Sequence, residues 1–142
     1  MATVQEAIDQ IAADLRALTG IRGAPDEPPE QMAVYPFIVC YTRSGSWEIA
    51  PVGVRKGLHN IAVELHVARK DLARDVQGAM AYSDSVPNAL LKALTTSGDR
   101  FASTISTFQR ISYTFGPMEW AGQATIGFRW TLEGVKIENE IT

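Results

Sequence analysis

Residues 57–76, GLHNIAVELHVARKDLARDV, decide the fold. From His59 to Val67 the chain alternates: His59, Ile61, Val63, Leu65 and Val67 fall on one face, and Asn60, Ala62, Glu64 and His66 on the other. That is the period of a β-strand. The consistently apolar first face predicts a strand covered by helices. The more polar second face predicts the half-wet side of an antiparallel sheet. The alternation stops at Arg69–Lys70, and Asp71 reads as the N-cap of a helix whose apolar stripe is Leu72, Val76, Ala79 and Met80. Asp71 and Asp75 then sit near the positive end of its dipole.

Upstream, YPFIVCYTRSGSW opens another strand, with Phe37, Val39 and Tyr41 on one side and Ile38, Cys40 and Thr42 on the other. Between the two strands lies 43–57, RSGSWEIAPVGVRKG, whose three glycines and one proline weaken a continuous ladder. It reads as a long connection or a flexible hairpin arm. Trp47, Ile49 and Val52 lie in it with no evident core face, which suits a contact surface. Further upstream, 21–34 (IRGAPDEPPEQMAV) holds three prolines and three acids and reads as an extended loop. The chain begins with a helix over 3–19: Thr3 and Glu6 form a capping-box pair, Val4, Ile8, Ile11, Leu15 and Leu18 make one stripe, and Gly20 is the C-cap.

Downstream, AYSDSVPNALLKALTTSG prolongs the second helix as far as Gly98, but Pro87 cannot sit in an uninterrupted helix interior without losing a hydrogen bond. Either the helix kinks there, or Ser85 caps a new helix with Pro87 in its first turn. TISTFQRISYTF is strand-like, with Ile105, Thr107, Gln109, Ile111, Tyr113 and Phe115 on one parity. GPMEWAG reads as a turn with an apolar tip. ATIGFRWTLEGVKIE alternates Ile126, Phe128, Trp130 and Leu132 against Thr125, Gly127, Arg129, Thr131 and Glu133. The sum is a single α+β domain over 1–142, a mainly antiparallel sheet with helices packed on one face, in the order α-β-β-α-β-β.

The 142 residues are 46% hydrophobic and 20% charged, with a formal charge of −3, and suffice for one domain with its own core. The acidic balance argues against general nucleic-acid binding. Cys40, the single cysteine, cannot form an internal disulfide and suits a reducing compartment. MATVQEAIDQIAADL carries acids where a signal peptide has basic residues, and no apolar run approaches a membrane span, so the chain reads as soluble and made inside the cell.

The two histidines of the chain, His59 and His66, are seven residues apart on one strand. They point to opposite faces at a separation of ~23 Å, so they cannot share a metal or form a dyad. Glu64 and His66 share a face and can meet, but two ligands fall short of a zinc site. Cys40 has no cationic neighbour in sequence and reads as packing. P-loop, dinucleotide-binding, nucleophile-elbow and zincin motifs are absent from the sequence. Catalytic residues, cofactor and metal are therefore each expected to be none. Arg43, Arg55, Lys56, Arg69 and Lys70 gather around the ends of the first hairpin, against acidic stretches in DEPPE and ENE. They are either a solvated rim or a polarised surface that docks onto partners or faces a phosphate backbone.

YPFIVCYTRSGSWE, GLHNIAVELHVARKDLARDV, SVPNALLKAL and IGFRWTLEGVKIE, together spanning residues 35–138, resemble the tail terminator (tail completion) proteins of long-tailed phages and of related tail-like particles such as gene transfer agents. The resemblance implies a non-enzymatic virion protein. It implies a ring of copies of itself, usually six, on the finished end of the tail tube, touching the major tail tube protein on one side and a head-completion or connector protein on the other. Genome DNA would pass through the opening without sequence-specific binding, and no membrane is involved. The protein would be made in the host cytoplasm and reside at the head–tail junction. By that analogy the interface would draw on Arg43, Trp47, Glu48, Ile49, Val52, Arg55, Lys56, Arg69, Met118 and Trp120. Removing Ser44–Val54 would then abolish assembly and leave the fold intact. A neck or head-closure protein is the alternative within this class. A small-ligand or enzymatic domain built on the Glu64–His66 face is the alternative outside it, and an enclosed polar pocket around His66 would favour it.

Overall fold

A computed structural model of the protein describes residues 3–18, 20–21, 23–24, 35–50, 54–68, 72–95, 105 and 107–140, the side chains at 49–50, 54–56, 72, 94–95 and 138–140 excepted. Seven elements follow one another: α1 (Val4–Arg16), β1 (Phe37–Ala50), β2 (Val54–Ala68), α2 (Leu72–Met80), α3 (Ser85–Thr95), β3 (Arg110–Trp120) and β4 (Gln123–Glu140). The four strands form one sheet in the order β1-β2-β4-β3, and every pairing is antiparallel. The α+β architecture expected from the sequence is therefore present, with one more helix than the predicted order. Among the described residues no helix is long and apolar enough to cross a membrane.

The helices occupy one side of the sheet. α1 packs on β1 and α3, and α2 on β2 and β4. Ile38 and Cys40 of β1, Ile61, Val63 and Leu65 of β2, and Phe128, Trp130 and Leu132 of β4 meet Ala7, Ile8, Ile11 and Leu15 of α1 and Val86 and Leu90 of α3 in a single core. Each large side chain buried there contributes about 1.5–3 kcal/mol. The alternation read along 59–67 is the register seen, with Ile61 opposite Leu132, Val63 opposite Trp130 and Leu65 opposite Phe128.

Several boundaries differ from expectation for identifiable reasons. α1 starts as read, the Thr3 hydroxyl accepting from the Glu6 N–H at 3.1 Å, but it ends at Arg16 with Ala17 as C-cap. Gly20, at φ 91°, lies in the turn beyond rather than at the cap, where a Cβ would meet the Tyr82 hydroxyl. Pro87 opens a separate helix: Met80 ends α2, residues 81–84 turn, and Pro87 falls in the first turn of α3, where its missing N–H is harmless. Ser85 is the first residue of that helix and not its cap. The proposed cap Asp71 and stop Gly98 lie outside the described residues.

Residues 43–50 and 54–57 are strand and no loose connection. β1 runs on to Ala50 and β2 starts at Val54, and the ladder between them is continuous apart from one irregularity between Thr42 and Ser44. β4 accompanies β2 along the same length, from Val54 opposite Glu140 to His59 opposite Val135. The arm is therefore three strands wide, and its β4 residues Val135 and Ile137 belong to the core. GPMEWAG is likewise mostly strand: only Ala121 and Gly122 turn, both with positive φ (49° and 81°), the two-residue form that matches strand twist. The parity predicted for 105–115 also breaks, since Phe108 is buried and Thr107 exposed. Thr107 bridges to Lys136 ahead of β3 proper.

Two irregularities line up across the sheet and set its bend. Arg43 is the extra residue in β1 between Thr42 and Ser44, facing Asn60 and Ile61 of β2. Glu133 and Gly134 of β4 oppose Asn60 alone, and Gly134 has φ 68° and donates its N–H to Asn60 Oδ1 at 3.4 Å. Bulges on both sides of Asn60 increase twist at one level of the sheet, at the base of the arm.

Candidate functional site

The sheet face opposite the helices was expected to be half wet, yet at its upper end it is closed. Register places Glu64 between Val39 and Arg129, and His66 between Phe37 and Gly127. The Glu64 carboxylate accepts hydrogen bonds from the Tyr41 hydroxyl, from Arg129 Nε at 2.9 Å and from His66 Nε2 at 2.9 Å. The other imidazole nitrogen, Nδ1, is hydrogen-bonded with the Thr125 hydroxyl at 2.6 Å. Phe37 stacks on the imidazole with centroids 4.9 Å apart, and Trp120 closes over it edge-on at 5.7 Å. Tyr35 donates its hydroxyl to Gln123 Oε1 at 2.7 Å and ties the β3–β4 turn down over this face. Phe37, Val39, Ala62, Glu64, His66 and Thr125 are all buried as a result.

Geometry displaces the titration of two members of this cluster, Glu64 and Tyr41. Burial alone would raise the Glu64 carboxyl, but the hydrogen bonds from His66, Tyr41 and Arg129 outweigh it and hold it down at about 2. Burial and the bond to Glu64 push the Tyr41 phenol up to about 12. A general acid or base works with a pKa near the operating pH and within reach of substrate. Glu64 has neither property, and His66 is enclosed with both nitrogens engaged. The predicted Glu64–His66 pairing is present along β2, but inside a cluster that ties β2 to β1 and β4 and not as the lining of a pocket. Cys40 is buried in the helix-side core, and desolvation pushes its thiol up to about 12, an unreactive state. Among the described residues no group of three or more His, Cys, Asp or Glu side chains is placed to hold a metal ion.

A second constellation lies on the helix side at the arm. Val4, Thr42, Arg43, Ser44, Gly45, Trp47 and His59 line an open cleft of about 370 Å³. His59 is buried, and Trp47 meets it edge-on with centroids 4.7 Å apart. Two glycines make room for this pair: a Cβ on Gly45 would stand 2.3 Å from His59 Nδ1, and one on Gly57 2.2 Å from Nε2 and 2.7 Å from the indole. His59 Nε2 is buried without a hydrogen-bond partner, and desolvation lowers the pKa of the imidazole. These glycines, which in sequence argue against a ladder, are required by the side chains that pack over it.

The third feature is the pair of sheet edges. β1 and β3 are the outer strands. On the helix side of β3, Tyr113 meets Phe128 edge-on and Phe115 meets it tilted, with centroids 5.7 and 4.7 Å away, yet they are 66% and 38% exposed. On β1, Trp47 is 42% exposed.

The candidate interface residues do not form one patch. Arg43, Trp47 and Glu48 are exposed on β1, with Arg43 at the bulge, where it lines both the Trp47 cleft and a polar cleft of about 400 Å³ with Ser44, Asn60, Ser112, Thr131 and Glu133. Met118 and Trp120 are half-buried at the other end of the sheet, on the face opposite Trp47, and Trp120 serves as a lid on His66 and Tyr41. Val52 and Arg69 lie outside the described residues, as do the side chains of Ile49, Arg55 and Lys56. Sequence reading missed Tyr113 and Phe115, whose alternation with Ser112 and Thr114 looks like any core-facing strand. It also missed Tyr41, Thr125 and Arg129 as partners of Glu64 and His66, because only register brings them together. No protein-family model matches this chain, and no curated protein matches it.

Proposed function

We propose that the protein is a structural subunit that assembles with copies of itself into a ring on the finished end of a phage-type tail tube. There it stops tube growth and offers the docking surface for a head-completion or connector protein. The observation that carries this reading is the pair of sheet edges that, among the described residues, no further strand covers, β3 and β1 beyond its bridge to Gly23 at Phe37, each with exposed aromatic side chains, Trp47 on one and Tyr113 and Phe115 on the other. Open edges with apolar side chains are a liability in a monomer and an asset in an assembly. Two different edges on one subunit make head-to-tail contacts, the kind that close into rings. The resemblance of residues 35–138 to tail terminator proteins points the same way. A catalytic reading has less support, since the polar cluster around His66 is enclosed and its Glu64 and Tyr41 titrate far from neutral pH.

Electron microscopy of the purified protein, alone and with tail tubes, tests the proposal. Rings of uniform diameter on tube ends are expected, together with overlong tubes when the gene is removed. Binding to head connectors but never to tubes would favour the head-closure alternative. Tubes of normal length without the protein would overturn the assignment.

A further inference from the structure

Edges β1 and β3 are complementary to each other. Three successive antiparallel pairings separate them, so they run in opposite directions. A second copy placed beside the first in the same orientation, helices on the same side, therefore continues the antiparallel alternation across the junction. We propose that the outer edge of β3 pairs with the outer edge of β1 of a second copy, Arg110–Phe115 against Thr42–Glu48, with Tyr113 opposite Gly45 at the mouth of the Trp47–His59 cleft. This deepens the assembly reading above and rests on it.

Side-chain chemistry selects the register. With Arg110 opposite Glu48, Tyr113 falls opposite Gly45 and Thr114 opposite Ser44. The bulged Arg43 is skipped, and Phe115 then meets Thr42. Every pair is face-matched: Arg110, Ser112 and Thr114 lie on the open face, like Ser44, Ser46 and Glu48, whereas Tyr113 and Phe115 lie on the helix side, like Gly45, Trp47 and Thr42. Arg110 and Glu48 carry opposite charge and are both exposed, Arg110 already holding Glu133 at 2.9 Å by its Nε. Gly45 is exposed and the His59 imidazole fills the space its Cβ would take, so an aromatic ring opposite Gly45 meets no side chain of that residue and lies against the edge of the imidazole. The phenol also brings a polar hydroxyl to a cleft whose imidazole has a buried nitrogen without a partner.

A disulfide ladder tests the pairing. Within one chain Ser44 and Thr114 sit on opposite edges with β2 and β4 between them, about 14 Å apart at ~4.8 Å per strand, too far to be bridged. Oxidation of the double variant Ser44→Cys/Thr114→Cys should give covalent dimers, trimers and higher steps, and each single variant alone should give none. A mixture of the two single variants should give dimers. Tyr113→Ala should raise the midpoint concentration of assembly at least tenfold without changing the monomer's melting. Glu48→Arg should weaken assembly, and Glu48→Arg/Arg110→Glu should restore it. Normal oligomers by sedimentation with no ladder would overturn this pairing and leave the assembly reading standing. A chain that stays monomeric at every concentration, with and without tail tubes, would overturn both.

Discussion

Glu64 concentrates the polar energetics of the sheet. Its carboxylate is buried and accepts from three side chains on three different strands. With a folded pKa of about 2 against an ordinary value of 4.5, the unfolded chain binds more protons between those limits. Its contribution to stability is therefore complete above about pH 4.5 and is lost as pH falls toward 2. Denaturant titrations at stepped pH should show that acid limb, of order 3 kcal/mol, and Glu64→Gln should flatten it while lowering stability at neutral pH. An unchanged limb in the variant would remove Glu64 as its source. His59 gives a separate step. Burial lowers its folded pKa, so stability begins to fall as pH drops below about 6.5, where the unfolded imidazole protonates; His59→Gln should abolish that step alone. The Glu64–His66 contact was legible from the i, i+2 spacing on a strand. Tyr41, Arg129 and Thr125 were not, because their positions depend on which strand lies beside which and in what register.

At the level of the elements, glycine placement governs how closely strands approach. A Cβ at Gly127 would stand 1.9 Å from the Leu65 carbonyl oxygen, backbone that cannot rotate away. Gly127→Ala must part β2 from β4 beneath His66 and should cost roughly 3 kcal/mol, read as a lower denaturation midpoint. Ala121 holds φ 49° in the exposed β3–β4 turn, a left-handed conformation that costs an ordinary L-residue about 1–2 kcal/mol. Ala121→Asn, which completes an Asn-Gly turn with Gly122, should therefore raise the melting temperature by a few degrees; an unchanged or lower value would mean that the turn is not under this strain. The interior of the sheet was legible in sequence because its alternation is long and apolar. The arm was misread because Gly45 and Gly57 look like breaks until His59 and Trp47 are seen lying over them. The GPMEW stretch was misread for a similar reason: its proline lies in an outer strand, where a missing N–H leaves no ladder bond empty.

For the molecule as a whole, the decisive matter is whether the arm is a detachable contact device or part of the folded body. Sequence reading treated Ser44–Val54 as removable. In the structure, Ser44–Ala50 pair with Val54–Asn60, and Val54–His59 pair in turn with Val135–Glu140. Val135 and Ile137 are buried in the common core, and Trp47 packs over His59 and Gly57 on the same side. Deleting Ser44–Val54 would leave β2 without its outer neighbour along this length and would open that end of the core. The expected outcome is a large loss of stability along with the loss of assembly, seen as a lower and broader thermal transition of the monomer. Point changes confined to the edges should behave differently. Tyr113→Lys places a charge on an outer strand at a side chain that is 66% exposed, a device that blocks edge pairing, and should leave the monomer's stability within about 0.5 kcal/mol while abolishing oligomers in sedimentation. If the deletion melted like the intact chain, the arm would be an appendage after all. If Tyr113→Lys unfolded the monomer, the β3 edge would belong to the core and could not be the surface on which copies meet.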